Sequence, residues 1–115
     1  MDGKLYPCGT SITMDFIGGK WKAVIVNHLA DGKKRYNELR KELPRVTERT
    51  LSLQLKQLED DGFITRTCYN SKPPLKVEYE LTELGESILS LIKLIENWGC
   101  DYASNHGGEI VRHSS

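Results

Sequence analysis

The stretch RVTERTLSLQLKQLEDDGFITR, residues 45–66, contains four leucines, at positions 51, 53, 55 and 58. Leu51, Leu53 and Leu55 alternate as the residues of a strand do, whereas Leu51, Leu55 and Leu58 recur at the spacing of one helix face. The run is longer than a dozen residues and consists mostly of good helix formers, which favours the helix. Leu53 then lies about 180° away from the apolar stripe, on the outer face of that helix.

Both ends of this helix carry boundary signals. Thr47 is a favourable N-cap, and Val46 and Leu51 occupy the two positions of a hydrophobic staple. Two aspartates and a glycine at residues 60–62 end the run on the other side. The sequence therefore predicts a helix over residues 47–61.

Two short helices are predicted near the N-terminus. Apolar residues in TSITMDFIGG indicate a first helix that is capped by Thr10 or Ser11 and ended by Gly18 and Gly19. The next segment, KWKAVIVNHLADG, has apolar residues at helical spacing and stops at Gly32. Both helices are short enough to need packing against the rest of the chain.

A third helix is predicted over KKRYNELRKELP, residues 33–44, because its apolar residues share one face and Pro44 breaks the run. A short turn at residues 44–46 joins it to the helix over residues 47–61, which makes a helix-turn-helix. The second helix of such a pair is the one that enters the DNA major groove.

The following segments, FITRTCYN and LKVEYELT, alternate apolar and polar residues and predict two strands. The turn SKPP separates them, and residues 70–76 form a basic hairpin tip. The predicted fold class is mainly α with a small β-hairpin wing, a winged helix-turn-helix. We expect a single domain over residues 1–115, with a core at about 8–103 and a flexible tail at 104–115.

A long helix capped by Thr82 is predicted over ELGESILSLIKLIENWGCDY, residues 83–102. Leu84, Ile88 and Leu91 begin an apolar seam that continues to its end, and other apolar residues widen it. So small a domain cannot cover that much apolar surface. Part of the helix is therefore expected to contact a second copy of the chain.

The formal net charge is zero, but the charge is unevenly distributed. Residues 33–76 hold eleven basic and six acidic side chains, a net charge of +5, whereas residues 77–103 hold six acidic side chains and one lysine, a net charge of −5. A basic middle that contains the helix-turn-helix favours contact with a polyanion. An uneven solvated surface is the alternative on charge alone.

Several side chains of this basic middle are predicted to contact double-stranded DNA. Arg49, in the first helical turn, can reach guanine or a phosphate, and Leu53 can touch a thymine methyl group or is simply an exposed leucine. Lys56 and the wing residues are expected to bind phosphate or to enter a groove. The predicted DNA-binding residues are Arg35, Arg40, Thr47, Arg49, Thr50, Ser52, Leu53, Lys56, Ser71, Lys72 and Lys76.

Four segments that occur in this order, GGKW, RYNEL, TERTLSLQLKQLEDDGFITR and VEYELTELG, resemble the HxlR family of bacterial transcriptional regulators. The resemblance covers about residues 7–98. It implies a homodimeric winged-helix protein, related in fold to MarR-type regulators, that binds an operator with two half-sites and acts as a repressor or activator, a repressor being expected here. It also implies a dimer built from the first and last helices. The expected interface residues are Ile12, Phe16, Ile88, Leu91, Ile92, Ile95, Trp98 and Tyr102.

Cys8 stands at the position of a cysteine that many members of the family share and that senses electrophiles or oxidants in some of them. The segment PCGTS departs from the family pattern, in which a proline often follows the cysteine directly. A thiol near a helix N-terminus favours the reactive thiolate, although a small buried structural cysteine is the alternative. Cys100 of a second copy is a candidate disulfide partner, and Cys68 is expected to be structural.

Other functional classes lack their signatures in this sequence. It contains no glycine-rich phosphate loop, GxSxG or HExxH motif, so an enzyme is not expected. No two of its cysteines and histidines stand at short metal-ligand spacing, so no metal or other cofactor is expected, although a regulator of this fold that responds to a ligand or metal remains the alternative. No apolar run is long enough to span a membrane, and free cysteines suit the cytoplasm.

Overall fold

A computed structural model describes residue 3 and residues 5–110 of the chain. The elements follow in the order α1 (Gly9–Ile17), α2 (Lys22–His28), β1 (Lys34–Arg35), α3 (Tyr36–Glu42), α4 (Glu48–Asp60), β2 (Ile64–Cys68), β3 (Val77–Leu81) and α5 (Glu83–Asn105). The predicted fold class, mainly α with a small wing, is confirmed.

The helix predicted over residues 47–61 is confirmed as α4. Thr47 is its N-cap, and the Thr47 hydroxyl accepts a hydrogen bond from the Thr50 backbone N–H over 3.1 Å. Leu51, Leu55 and Leu58 are at most 1% exposed, whereas Leu53 is 51% exposed. The helical period therefore sets which leucines form the core, and Leu53 lies outside it as predicted.

The wing belongs to a three-stranded antiparallel sheet in the order β1-β3-β2, where two strands were predicted. The prediction that Lys34 and Arg35 begin the third helix was wrong, because they form β1 and pair with Tyr79 and Glu78 of β3. Residues 34–35 thus satisfy backbone groups at the edge of β3, and α3 begins only at Tyr36.

Lys34 of β1 links the sheet to helices α2 and α3. Its Nζ lies 2.7 Å from Glu42 Oε2 at the end of α3, and His28 Nδ1 of α2 lies 2.8 Å from Glu42 Oε1. Burial of Glu42 opposes its ionisation, but the hydrogen bonds from Lys34 and His28 outweigh burial and lower its pKa. This half-buried cluster joins three elements beside the helix-turn-helix.

Helix boundaries differ from prediction at three further places. Cys8, rather than Thr10 or Ser11, is the N-cap of α1, because its backbone is extended and its carbonyl accepts the Ile12 N–H. Helix α2 ends at His28, before the predicted stop. Helix α5 continues to Asn105, inside the predicted tail, and residues 111–115 lie outside the described residues.

The core fills the space between α2, α3, α4, the sheet and the first half of α5. Ile92 is 3% exposed within this core, which corrects its assignment to a dimer interface. Phe16 is half-buried and packs edge to face on Phe63, with ring centroids 5.4 Å apart. Helix α5 has 23 residues and is about 35 Å long at about 1.5 Å per residue.

A second face of α5 is apolar and exposed. Leu94 is 66% exposed, Ile95 50%, Trp98 69% and Tyr102 52%. At about 100° per residue these side chains lie roughly 90–170° around the helix from the midpoint between the buried Leu89 and Ile92. The helix thus has one apolar face for the core of its own chain and another that the described residues leave exposed. Leu91 is 38% exposed, and Ile88 and Ile12 are half-buried.

Candidate nucleic-acid interface

The outer face of α4 projects from the domain and carries cations around one leucine. Arg49 and Lys56 are exposed on either side of Leu53, and the buried leucines on the opposite face hold the helix in place. Thr47 and Thr50 lie at its start, where the Thr47 hydroxyl also donates to Thr50 Oγ1 over 3.0 Å. These two hydroxyls are therefore already engaged in capping the helix.

Lys56 and Ser52 of α4 also have partners within the protein. Lys56 Nζ lies 3.0 Å from Asp60 Oδ1, and this hydrogen bond raises the pKa of Lys56. Ser52 Oγ lies 3.3 Å from the Tyr36 hydroxyl of α3, which also donates to the Glu48 carbonyl over 3.4 Å. Ser52 and Tyr36 thus connect the two helices at the surface, and Lys56 can exchange an exposed carboxylate for another anion.

Arg40 has an intramolecular role that the sequence did not predict. Its Nη1 donates to the Val46 carbonyl over 2.6 Å, and its Nε lies 4.0 Å from the Glu48 carboxylate. The side chain is half-buried and ties α3 to the turn and to the first residue of α4. The structure shows the contact of Arg40 with the turn. A contact of Arg40 with DNA stays a prediction.

The tip of the wing is organised by Asn70, which sequence reasoning missed. Its Nδ2 donates to the carbonyls of Lys72 and Pro74 over 2.9 and 2.7 Å, and its Oδ1 accepts the Lys76 backbone N–H over 2.8 Å. Ser71 and Lys72 are exposed on this ordered loop. An asparagine that closes a loop onto its own backbone is a familiar turn signal, so the residue type was informative.

Cations of the wing lie on both of its faces. Lys76 is exposed, with its Nζ 4.8 Å from the centroid of the Tyr69 ring. Arg66 pairs with Tyr79 across the hairpin, on the face turned toward the helices. Arg35 is exposed at the N-cap of α3. The alternation of Ile64 and Arg66 could have placed Arg66 on the inner face, but the sequence does not show where the core ends along a strand.

The three cysteines lie in different surroundings. Cys8 is exposed at the N-cap of α1, and its Sγ lies 3.7 Å from Ser11 Oγ. Hydrogen bonds from Ser11 and then Thr10, chiefly from the backbone, lower the pKa of the Cys8 thiol. Cys68 is exposed and donates to the Asn70 carbonyl over 3.1 Å, and Cys100 is half-buried in α5.

Among the described residues, no group of three or more histidine, cysteine or acidic side chains is arranged to hold a metal ion. His113 lies outside them. None of the described helices is both long and apolar enough to cross a membrane.

Comparison with known proteins agrees with this geometry. The HxlR-like helix-turn-helix family model matches residues 16–107. The HTH-type transcriptional regulator YdeP of Bacillus subtilis is 50% identical over 95 residues, which are 83% of this chain and 73% of that protein. YtcD of the same organism is 43% identical over 109 residues, which are 95% of this chain and 86% of that protein.

Solved structures give the same result. The redox regulator HypR in its reduced form superposes with a TM-score of 0.77 at 44% identity, covering 82% of this chain and 92% of that chain. In its oxidized form HypR gives a TM-score of 0.75 at 41% identity, covering 90% of this chain and all of that chain. The chain belongs to the HxlR-like helix-turn-helix family and is a transcriptional regulator, not an enzyme.

Proposed function

We propose that the protein is a sequence-specific, homodimeric DNA-binding repressor that inserts α4 into the major groove. The observation that carries this proposal is the division of α4 into two faces. Leu51, Leu55 and Leu58 are buried, while the opposite face presents exposed cations around Leu53. A helix fixed by one face and free on the other is what major-groove recognition requires.

Individual side chains of α4 take different roles in this proposal. Arg49, exposed in the first turn, donates to a guanine edge or to a phosphate. Leu53 meets a thymine methyl group, since an apolar side chain between two cations can contact only an apolar part of a base. Lys56 releases Asp60 and binds a phosphate, and this exchange costs little because the pair is exposed.

The wing contacts DNA beside the major groove. Asn70 holds the loop closed through three hydrogen bonds, so the backbone that carries Ser71 and Lys72 has little freedom left to lose on binding. Lys72 and Lys76 bind the backbone or enter the minor groove, and these contacts orient the protein without reading sequence.

Two copies associate through the uncovered face of α5 together with α1. Leu94, Ile95 and Trp98 are at least half exposed there, and Met14 of α1 is 53% exposed. Such a surface is unfavourable in water and is buried when a second copy packs on it. A two-fold dimer presents two α4 helices, and these bind half-sites about 10 base pairs apart or a multiple of that distance.

Selection from a pool of duplexes with a randomised 30-base-pair segment tests this function directly. The purified chain should enrich a sequence with two inverted half-sites, and its affinity should fall steeply as salt rises. Enrichment of a single half-site would refute the dimer on DNA. Failure to enrich any sequence, with no salt-dependent binding to random duplex, would refute DNA binding altogether.

A redox response through Cys8 is a second element of the proposal. The thiol is exposed at the N-cap of α1 and its pKa is lowered, and both features favour the reactive thiolate. HypR, with which the chain superposes, is a redox regulator in reduced and oxidized forms. Cys100 of the second copy is the proposed partner in a disulfide.

Gel shifts with and without diamide separate this response from its alternatives. The selected operator should be released or bound more tightly by oxidised wild type and be unaffected by oxidation of a Cys8→Ser variant. A covalent dimer on a non-reducing gel that is lost in Cys100→Ser would identify the partner. If oxidation changes operator binding by neither wild type nor Cys8→Ser, regulation by a small molecule or a metal becomes the better explanation.

A further inference from the structure

An open groove separates the wing from the helix-turn-helix. Its volume is about 560 Å³, and its walls come from α3, α4 and the hairpin. Arg35, Arg66 and Lys76 line it, and no acidic side chain is among its described lining residues. Arg66 brings positive charge into the groove, whereas the Glu78 carboxylate offsets part of the charge of Arg35 and Lys76. The groove opens beside Ser52 on the exposed side of α4.

Arg66 is directed into this groove by the register of the hairpin. It stands opposite Tyr79, and Tyr79 and Ile64 are both buried on the face of the sheet that packs on the helices. Arg66 shares that face but lies beyond the edge of the core, where it is exposed. Burial raises the pKa of Tyr79 while the nearby Arg66 guanidinium works against that rise, so the cation lies beside the phenol.

The helix side of the groove supplies neutral hydrogen-bonding groups. The Tyr36 hydroxyl and Ser52 Oγ lie 3.3 Å apart on one wall, opposite the strand that carries Arg66. Leu75 and Val77 provide apolar surface on the wing side. Cations, hydroxyls and a partly apolar wall match a sugar-phosphate unit, which has a charged phosphate and a less polar sugar.

We propose that this groove holds one phosphodiester of the DNA backbone between α4 and the wing, with Arg66 as its principal donor and Arg35 as the second. The planar guanidinium offers paired N–H donors that match two phosphate oxygens. The groove lies between the two elements that the proposed function places on DNA, so the strand that leaves the major groove passes over it. This inference rests on that proposed function and adds residues to its site.

The salt dependence of binding to a random-sequence duplex tests the phosphate contact. Each lost phosphate contact lowers the slope of log affinity against log salt by about 0.9. Because the dimer contains Arg66 twice, Arg66→Gln should lower the wild-type slope by about 1.8, and Arg66→Lys should retain it. Lys93→Gln removes a cation from α5, about 160° around that helix from both Leu91 and Ile95 at about 100° per residue, and should leave the slope unchanged.

A single neutral methylphosphonate linkage, moved along the selected operator, identifies the phosphate. Wild type should lose affinity at one position per half-site where Arg66→Gln loses none. If Arg66→Gln keeps the wild-type slope and loses affinity at every linkage that wild type does, the groove does not hold a phosphodiester, although the proposed function stands. If wild type shows no salt-dependent DNA binding, the proposed function is refuted, and the phosphate contact proposed here is refuted as well.

Discussion

Replacing Ile95 by aspartate tests whether the uncovered face of α5 holds two copies together. Complete burial of an isoleucine side chain is worth about 1.5–3 kcal/mol. Ile95 is 50% exposed, so covering the exposed half contributes roughly 1 kcal/mol per copy. A two-fold interface contains the residue twice, and two partly desolvated carboxylates cost at least as much again. The expected loss of association free energy is about 4 kcal/mol, which raises the dissociation constant of the dimer roughly a thousand-fold.

Sedimentation equilibrium over a wide range of protein concentration measures that constant. Asn97→Asp is the matched control, because it introduces the same carboxylate about 160° around the helix, at an exposed position. We expect Ile95→Asp to sediment as a monomer at concentrations where wild type and Asn97→Asp are dimers. Equal dissociation constants for Ile95→Asp and wild type would refute the assignment of this face to the dimer. Equal weakening by both variants would show a general charge effect.

Four further outcomes are expected. Arg49→Ala should cost about 1–3 kcal/mol of operator binding in a titration, and an equal loss on random duplex would make Arg49 a phosphate contact instead. Thr47→Ala should lower the free energy of unfolding in urea by about 1 kcal/mol through loss of the cap, without a change in the slope against urea. Gly85→Ala should lower the melting temperature far more than Gly99→Ala, because an added Cβ at Gly85 overlaps the backbone before β2, whereas nothing lies within 4 Å of one at Gly99. Because its pKa is lowered, Cys8 should reach half-maximal alkylation by iodoacetamide at a lower pH in the folded chain than in urea, with the other cysteines changed to serine; equal midpoints would refute the role of the folded N-cap.

The parts of the fold that the sequence predicted are those with several local signals in agreement. Thr47, a staple, a leucine stripe and a terminal glycine all indicate the same helix, and the caps of α4, Thr47 and Asp61, stand at the predicted ends. Thr82 and the long apolar run that follows it likewise predicted α5. The direction of Leu53 followed from the period alone, since 3.6 residues per turn fixes which leucine faces away.

The parts that escaped prediction depend on partners distant in sequence. Strand β1 has only two residues, Lys34 and Arg35, and exists because β3 offers its edge more than forty residues later. Arg40 is directed toward the Val46 carbonyl by the shape of a turn that no residue pattern describes. Ile92 was assigned to the wrong face of α5 because that helix is apolar on two faces, and only packing decides which of them the chain covers.

In the proposed function, the charge distribution gives the outer face of α4 and the exposed apolar face of α5 different partners and sets how the protein approaches DNA. A net charge of zero provides no attraction at long range, but residues 33–76 carry +5 and residues 77–103 carry −5. The acidic segment includes most of α5, whose exposed apolar face suits a second copy of the chain rather than a phosphate backbone. At physiological salt, charges act over about 8 Å, so either segment affects DNA only at short distance. At that distance the basic segment attracts the duplex and the acidic segment repels it. In the proposed function, this charge asymmetry turns the outer face of α4 and the wing toward the duplex before any base is read.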